Sequence, residues 1–202
     1  MNDAERFGPW VSDEAKSRFD AFLTESAAPA DLAEARRFFA AYNQRLLDKA
    51  EARYAVDIAE REIAGVKIYE VVPPGAAGPS PVLLCLHGGG FMWGDGPGAL
   101  LEAVPVAAVS GMRVIAVDYR LAPEHVYPEA VDDIVAVYRA LLAEADSAQI
   151  GIYGCSAGAV LTTQAVARII HQGLPRPAAI GIFHGAPIEF AGDAALAQRL
   201  FD

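Results

Sequence analysis

Hydrophobic positions change their spacing twice along the chain. In residues 13–24, Ala15, Phe19 and Phe22 recur at helical intervals, and in residues 31–53 Leu32, Phe38, Phe39, Tyr42 and Leu46 do the same, which predicts two amphipathic helices. Pro29, Ala30 and Asp31 give the second one a start signal. From Tyr54 the texture becomes β-rich. Residues 56–72 hold two such runs parted near Ala64 and Gly65, an antiparallel pair by expectation. Pro73, Pro74, Gly75, Gly78 and Pro81 then form a loop.

Beyond the loop the apolar runs become short and continuous. Residues 82–86, 114–117 and 150–153 read as parallel strands buried on both faces, and residues 178–183 as a fourth. Helical stretches separate them at residues 98–110, 128–145 and 157–172. Strand and helix in alternation predict an α/β fold, with a mostly parallel sheet and helices on both of its faces.

Composition narrows the class. Hydrophobic residues make up 53% of the 202 and charged residues 21%, enough apolar material for a core and too much for a disordered chain. Lys plus Arg number 16 against 26 Asp plus Glu, a net charge of −10, which offers nothing to a phosphate backbone and excludes nucleic acid as the expected partner. Cys85 and Cys155 are too few for a disulfide framework and lack metal-site spacing; both read as reduced thiols, and no metal is expected. The charged N-terminus has no apolar core of a secretory signal, and no run reaches the length of a membrane span. A cytoplasmic protein is the expectation.

Three segments carry chemistry. Gly154-Cys155-Ser156-Ala157-Gly158 follows a buried strand and opens a helix, the context of a nucleophile elbow. Glycines on either side allow the tight turn, the serine hydroxyl is thrust out at the carboxyl end of the sheet, and the N–H of Ala157 faces a developing oxyanion. A serine capping a helix after a glycine turn is the plainer alternative. His87-Gly88-Gly89-Gly90-Phe91 follows the strand at 82–86; with four His and 18 Gly, chance would produce HGGG only about 0.003 times. Its glycines let the N–H groups of Gly88 and Gly89 approach a substrate oxygen, with His87 bracing the loop through its ring nitrogens. A phosphate cradle fits less well, because Ala99 stands where a third glycine would follow Gly94 and Gly96 and no Walker lysine is present. The third segment runs from Asp118 through Arg120 and Pro123 to Glu124 and His125. It reads as a structural loop, Arg120 pairing with Glu124 beneath the oxyanion segment.

HGGGF, DYRLAPEH and GxSAG, in this order, resemble the hormone-sensitive-lipase-like branch of the α/β-hydrolase fold, the bacterial esterases called family IV. The resemblance covers nearly two-thirds of the chain. It implies a three-layer α/β-hydrolase sandwich (54–202) preceded by an N-terminal helical cap (1–53). It also implies hydrolysis of short to medium acyl esters, a small-molecule ester as substrate, and no cofactor. Ser156 is then the nucleophile, Gly88, Gly89 and Ala157 the oxyanion donors, and His87, Gly90, Asp118, Arg120 and Glu124 their support. Two positions depart from the family pattern, Cys155 where an acid is usual and Ala159 where a glycine often stands. Cys155 reads as a packed thiol pointing away from Ser156.

The resemblance also places an acid and a histidine later in the chain, in the order Ser, Asp/Glu, His. Neither is found between Ser156 and Asp202 in that arrangement. The core therefore reads as C-terminally shortened, with an exposed edge at its last strand available for self-association. His184, backed by Glu189 or Asp193, is a surrogate base on paper, though one short loop would have to reach Ser156 from both sides. Three readings follow: a serine carboxylesterase, a non-catalytic hydrolase-like domain binding small carboxylates or esters, and an amide or formamide hydrolase using the same elbow.

Overall fold

The computed structural model describes residues 7–25, 29–76 and 81–185. The chain divides into two compact units, Met1–Phe38 and Phe39–Asp202. Helix α1 (Asp13–Glu25) lies in the first unit, and the division falls inside α2 (Leu32–Arg53), ahead of the boundary at residue 53 expected from the sequence. None of the helices among the described residues is long and apolar enough to cross a membrane.

Among the described residues the larger unit is built on a six-stranded sheet of order β1-β2-β4-β3-β5-β6. Strands β1 (Asp57–Ile63) and β2 (Val66–Val72) form the expected hairpin. Its two turn residues, Ala64 and Gly65, have φ of 52° and 81°, the left-handed pair that matches the twist of a tight hairpin. Strand β2 runs antiparallel to β4 (Arg113–Val117), whereas β4, β3 (Val82–Leu86), β5 (Ile150–Cys155) and β6 (Ala179–Phe183) are mutually parallel. The crossovers are α3 (Pro97–Ser110), α4 (Glu129–Leu141) and α5 (Ala157–His171).

Side-chain alternation along each strand feeds two cores. Leu84, Leu86, Ile115, Val117, Ile150 and Ile152 pack on one face with Ile134, Tyr138, Leu161 and Ile169 of α4 and α5. Cys85, Val114, Ala116 and Tyr153 pack on the other with Ala99, Leu100, Ala103 and Val104 of α3 and Leu47 of α2. Burial on both faces is why these strands are apolar throughout, and it gives the three layers the sequence predicts. Strand β6 departs from that reading. Among the described residues it pairs with β5 alone, and Ile180, Ile182 and Phe183 are exposed.

Candidate active site

Parallel order brings the carboxyl ends of β3, β4, β5 and β6 to one edge of the sheet, where the loops bearing the three motifs meet. At the end of β5, Ser156 adopts φ 54° and ψ −120°, a conformation that costs a non-glycine residue about 1–3 kcal/mol. The backbone reverses there and α5 begins at Ala157. Ser156 occupies the N-cap position, but its side chain makes no capping hydrogen bond, so helix capping does not explain it. Its hydroxyl is left on the exposed side of the turn. The Ser156 N–H donates to the Phe183 carbonyl at 2.9 Å, tying the turn to β6.

The turn requires its glycines. A Cβ on Gly158 would overlap the carbonyl of Leu86, and one on Gly154 would overlap the backbone of Gly158. The strand, the turn and the first turn of the helix are in backbone contact at these points. A third glycine, which the sequence reading missed, belongs to the same packing. A Cβ on Gly185 would stand 2.7 Å from Cβ of Ala159 and 2.8 Å from the Ser156 carbonyl oxygen. A lone glycine after a strand carried no signal of this contact.

The loop after β3 faces the serine. A Cβ on Gly88 would stand 3.3 Å from Cβ of Ser156 and 3.2 Å from the carbonyl oxygen of Cys155. Gly89 and Gly90 have φ of 119° and 59°, in the range that favours glycine. The Gly89 carbonyl accepts from the N–H groups of Met92 and Trp93 at 3.0 and 3.1 Å. Among the described residues no hydrogen bond uses the N–H of Gly88, Gly89 or Ala157.

His87 is buried and stacks on Tyr119, ring centroids 4.1 Å apart. Its Nδ1 lies 2.7 Å from the Gly88 carbonyl; a carbonyl only accepts, so Nδ1 carries the proton. Burial lowers the His87 pKa and holds the ring neutral. Nε2 has no partner among the described residues, so one ring nitrogen braces the loop where two were expected. The Tyr119 hydroxyl donates to the His87 carbonyl at 2.7 Å, and Asp118 accepts from the Gly96 N–H at 3.1 Å. Burial raises the Asp118 pKa.

Arg120 corrects the sequence reading. Its guanidinium does not pair with Glu124. It reaches α4, with Asp133 at 2.7 Å and Glu129 at 2.6 Å. Asp133 is buried and also accepts from the Arg120 N–H at 3.0 Å, and His125 meets Glu129 at 2.7 Å. The motif braces its own loop against the next helix. Glu124 lies on that loop, and Gly90 lies in the loop after β3 without touching Ser156 in any contact described.

Cys155 and Glu102 of α3 line a common cavity. Burial raises the pKa of both groups, and Glu102 pushes the thiol further up. Glu102 also lines a second cavity, of about 250 Å³, together with Gly88, Gly89, Trp93, Phe39, Tyr42 and Asn43. Phe39 stacks on Trp93 at 4.6 Å. Aromatic residues of the second helix thus line the space in front of the Gly88–Gly90 loop. Neither Glu102 nor Trp93 stands out in the sequence, because their helix and loop read as core and connector.

The chain has four histidines. His87 and His125 are engaged as described, and His171 is exposed at the end of α5. His184 directly follows β6 with φ 52° and is exposed; no hydrogen bond joins it to Ser156 among the described residues. Glu189 and Asp193 lie outside the described residues.

A family model of the alpha/beta hydrolase fold matches residues 83–199. An esterase of Acinetobacter venetianus is 37% identical over 118 residues, covering 58% of this chain and 38% of its own. An acetyl-hydrolase of Streptomyces hygroscopicus is 37% identical over 98 residues, covering 48% and 33%. The crystal structure of an esterase from the bacterial hormone-sensitive lipase family superposes with a TM-score of 0.72 at 32% identity, covering 84% of this chain and 56% of that one. The chain spans less than two thirds of the length of each of these relatives.

Proposed function

Since the chain belongs to the alpha/beta hydrolase fold family, we propose that it is a carboxylic ester hydrolase with Ser156 as nucleophile and Gly88, Gly89 and Ala157 as oxyanion donors. The observation that carries this reading is the backbone of Ser156, held at φ 54° and ψ −120° with its hydroxyl unused by the helix it precedes. Strain of this kind persists only where the surrounding packing enforces it, and here three glycines and the Gly88 loop do so. In the reaction, Oγ bonds to the ester carbonyl carbon. The carbonyl oxygen gains negative charge opposite the three N–H groups, the alcohol departs, and water later releases the acid from the acyl-serine.

The attack requires a base to take the hydroxyl proton. With no imidazole bonded to Ser156 among the described residues, catalysis by this polypeptide falls to what oxyanion donors and binding supply, on the order of 10³–10⁴ over water. The same observation favours a second reading, a hydrolase-like domain that binds small esters without turning them over.

p-Nitrophenyl butyrate and a fluorophosphonate probe test the proposal together. Slow turnover and slow labelling, both abolished by Ser156→Ala, are the expected results. Binding of the ester with no Ser156-dependent turnover selects the second reading. Fast turnover lost in His184→Ala would make His184 the base.

A further inference from the structure

Helix α3 carries one charged residue, Glu102, in an otherwise largely apolar sequence. A half-buried carboxyl is costly unless something compensates it. Cys155, which shares a cavity with it, brings a neutral thiol, and among the described residues no Lys or Arg pairs with it. Nothing in the ester hydrolysis derived above uses it. Glu102 is also the one charged side chain among the described residues lining the cavity in front of Gly88 and Gly89. The other walls are neutral, with the Tyr42 and Asn43 side chains and the Trp93 ring contributing oxygen acceptors and aromatic surface. Tyr42 already faces one cation, the Arg45 guanidinium 5.7 Å from its ring centroid. A carboxyl without a counter-ion, in a small cavity with aromatic walls, is complementary to a positively charged group with an apolar periphery. The net charge of −10 favours the approach of such a ligand.

We propose that this cavity takes the alkylammonium group of an ester substrate, with Glu102 as its counter-charge, while the ester carbonyl reaches the Gly88 and Gly89 N–H groups. The inference rests on the reading of Ser156 as an ester-directed nucleophile. It names the class of ester, one with a cationic amine in its acyl or alcohol part. Glu102 then acts on specificity and takes no part in bond making.

Binding can be read without turnover. The chain has two tryptophans, Trp10 and Trp93, so in a Trp10→Phe background the emission reports on Trp93 alone. Titration with acetylcholine and with 3,3-dimethylbutyl acetate, its uncharged carbon isostere, compares the two ligands at equal shape. Acetylcholine is expected to bind about tenfold tighter or better, the size of one charge-assisted contact. Glu102→Gln is expected to erase that preference and leave the affinity for the isostere unchanged. Ser156→Ala is expected to keep the preference, so a chain that binds the cation but hydrolyses no ester refutes the esterase reading alone. If circular dichroism shows Glu102→Gln unfolded, Glu102→Asp, which keeps the charge, is expected to retain most of the preference. Equal affinity for the two ligands, or a preference that survives Glu102→Gln, overturns the proposal.

Discussion

Two segments shape the edge of the sheet on which Ser156 lies, and they hold their form by opposite means. From Gly154 to Gly158 the chain is fixed by backbone against backbone, with no room for a Cβ between α5 and the carbonyl of Leu86. From Asp118 to Glu129 it is fixed by side chains, the Arg120 guanidinium reaching Asp133 and Glu129 and His125 meeting Glu129. Close backbone contact tolerates no substitution because neither partner can move aside. An ion pair partly open to water yields more gradually, since solvent replaces some of what is lost. The segment that must hold a strained serine is the one without compliance.

That contrast breaks first at Gly158. Gly158→Ala drives a methyl group into the Leu86 carbonyl and is expected to cost about 3 kcal/mol or more, read as a lower urea midpoint with unchanged slope. A cost below that of Arg120→Ala would overturn the comparison. Arg120→Ala leaves the buried Asp133 carboxylate without its guanidinium and is expected to cost about 2 kcal/mol. The accompanying Asp133→Ala variant should recover part of it in a double-mutant cycle, because the uncompensated charge is then gone. The smallest effect on stability is expected at Gly88. There a Cβ would stand 3.2 and 3.3 Å from its neighbours, so a shift of a few tenths of an ångström admits it. Gly88→Ala is expected to stay within about 1 kcal/mol of the parent. It should nonetheless lower Ser156-dependent ester turnover by about 10²-fold, the effect of displacing one oxyanion donor. Unchanged turnover in that variant would remove Gly88 from the donor set.

Legibility in the sequence follows the same division. The elbow was readable because steric exclusion selects one residue type, so Gly154, Ser156 and Gly158 appear at fixed spacing. The glycine loop after β3 was readable for the same reason, with Gly89 and Gly90 at positive φ. For the Arg120 loop, the sequence showed that a charged loop follows β4 but assigned Arg120 the wrong partner. Any carboxylate within reach satisfies a guanidinium, and Glu124 is nearer in sequence than Asp133. Strand β6 carried the apolar signal of a buried strand and is exposed on both faces among the described residues, because composition records what a strand is suited to contact and not what covers it.

The amino-acid sequence by itself determined the α/β alternation, the hairpin turn at Ala64 and Gly65, and the strand–turn–helix setting of Ser156. Each of these rests on local sterics or on a short-range period, and a few consecutive residues decide them. Only the tertiary structure decided that Phe39, Tyr42, Asn43, Trp93 and Glu102 line one cavity with Gly88 and Gly89, that Asp133 is the partner of Arg120, and that Gly185 packs against the Ser156 turn. These residues come from separate elements that meet only when the parallel crossovers are complete. Their encounter depends on the packing of the whole sheet and leaves no pattern in any one stretch of chain.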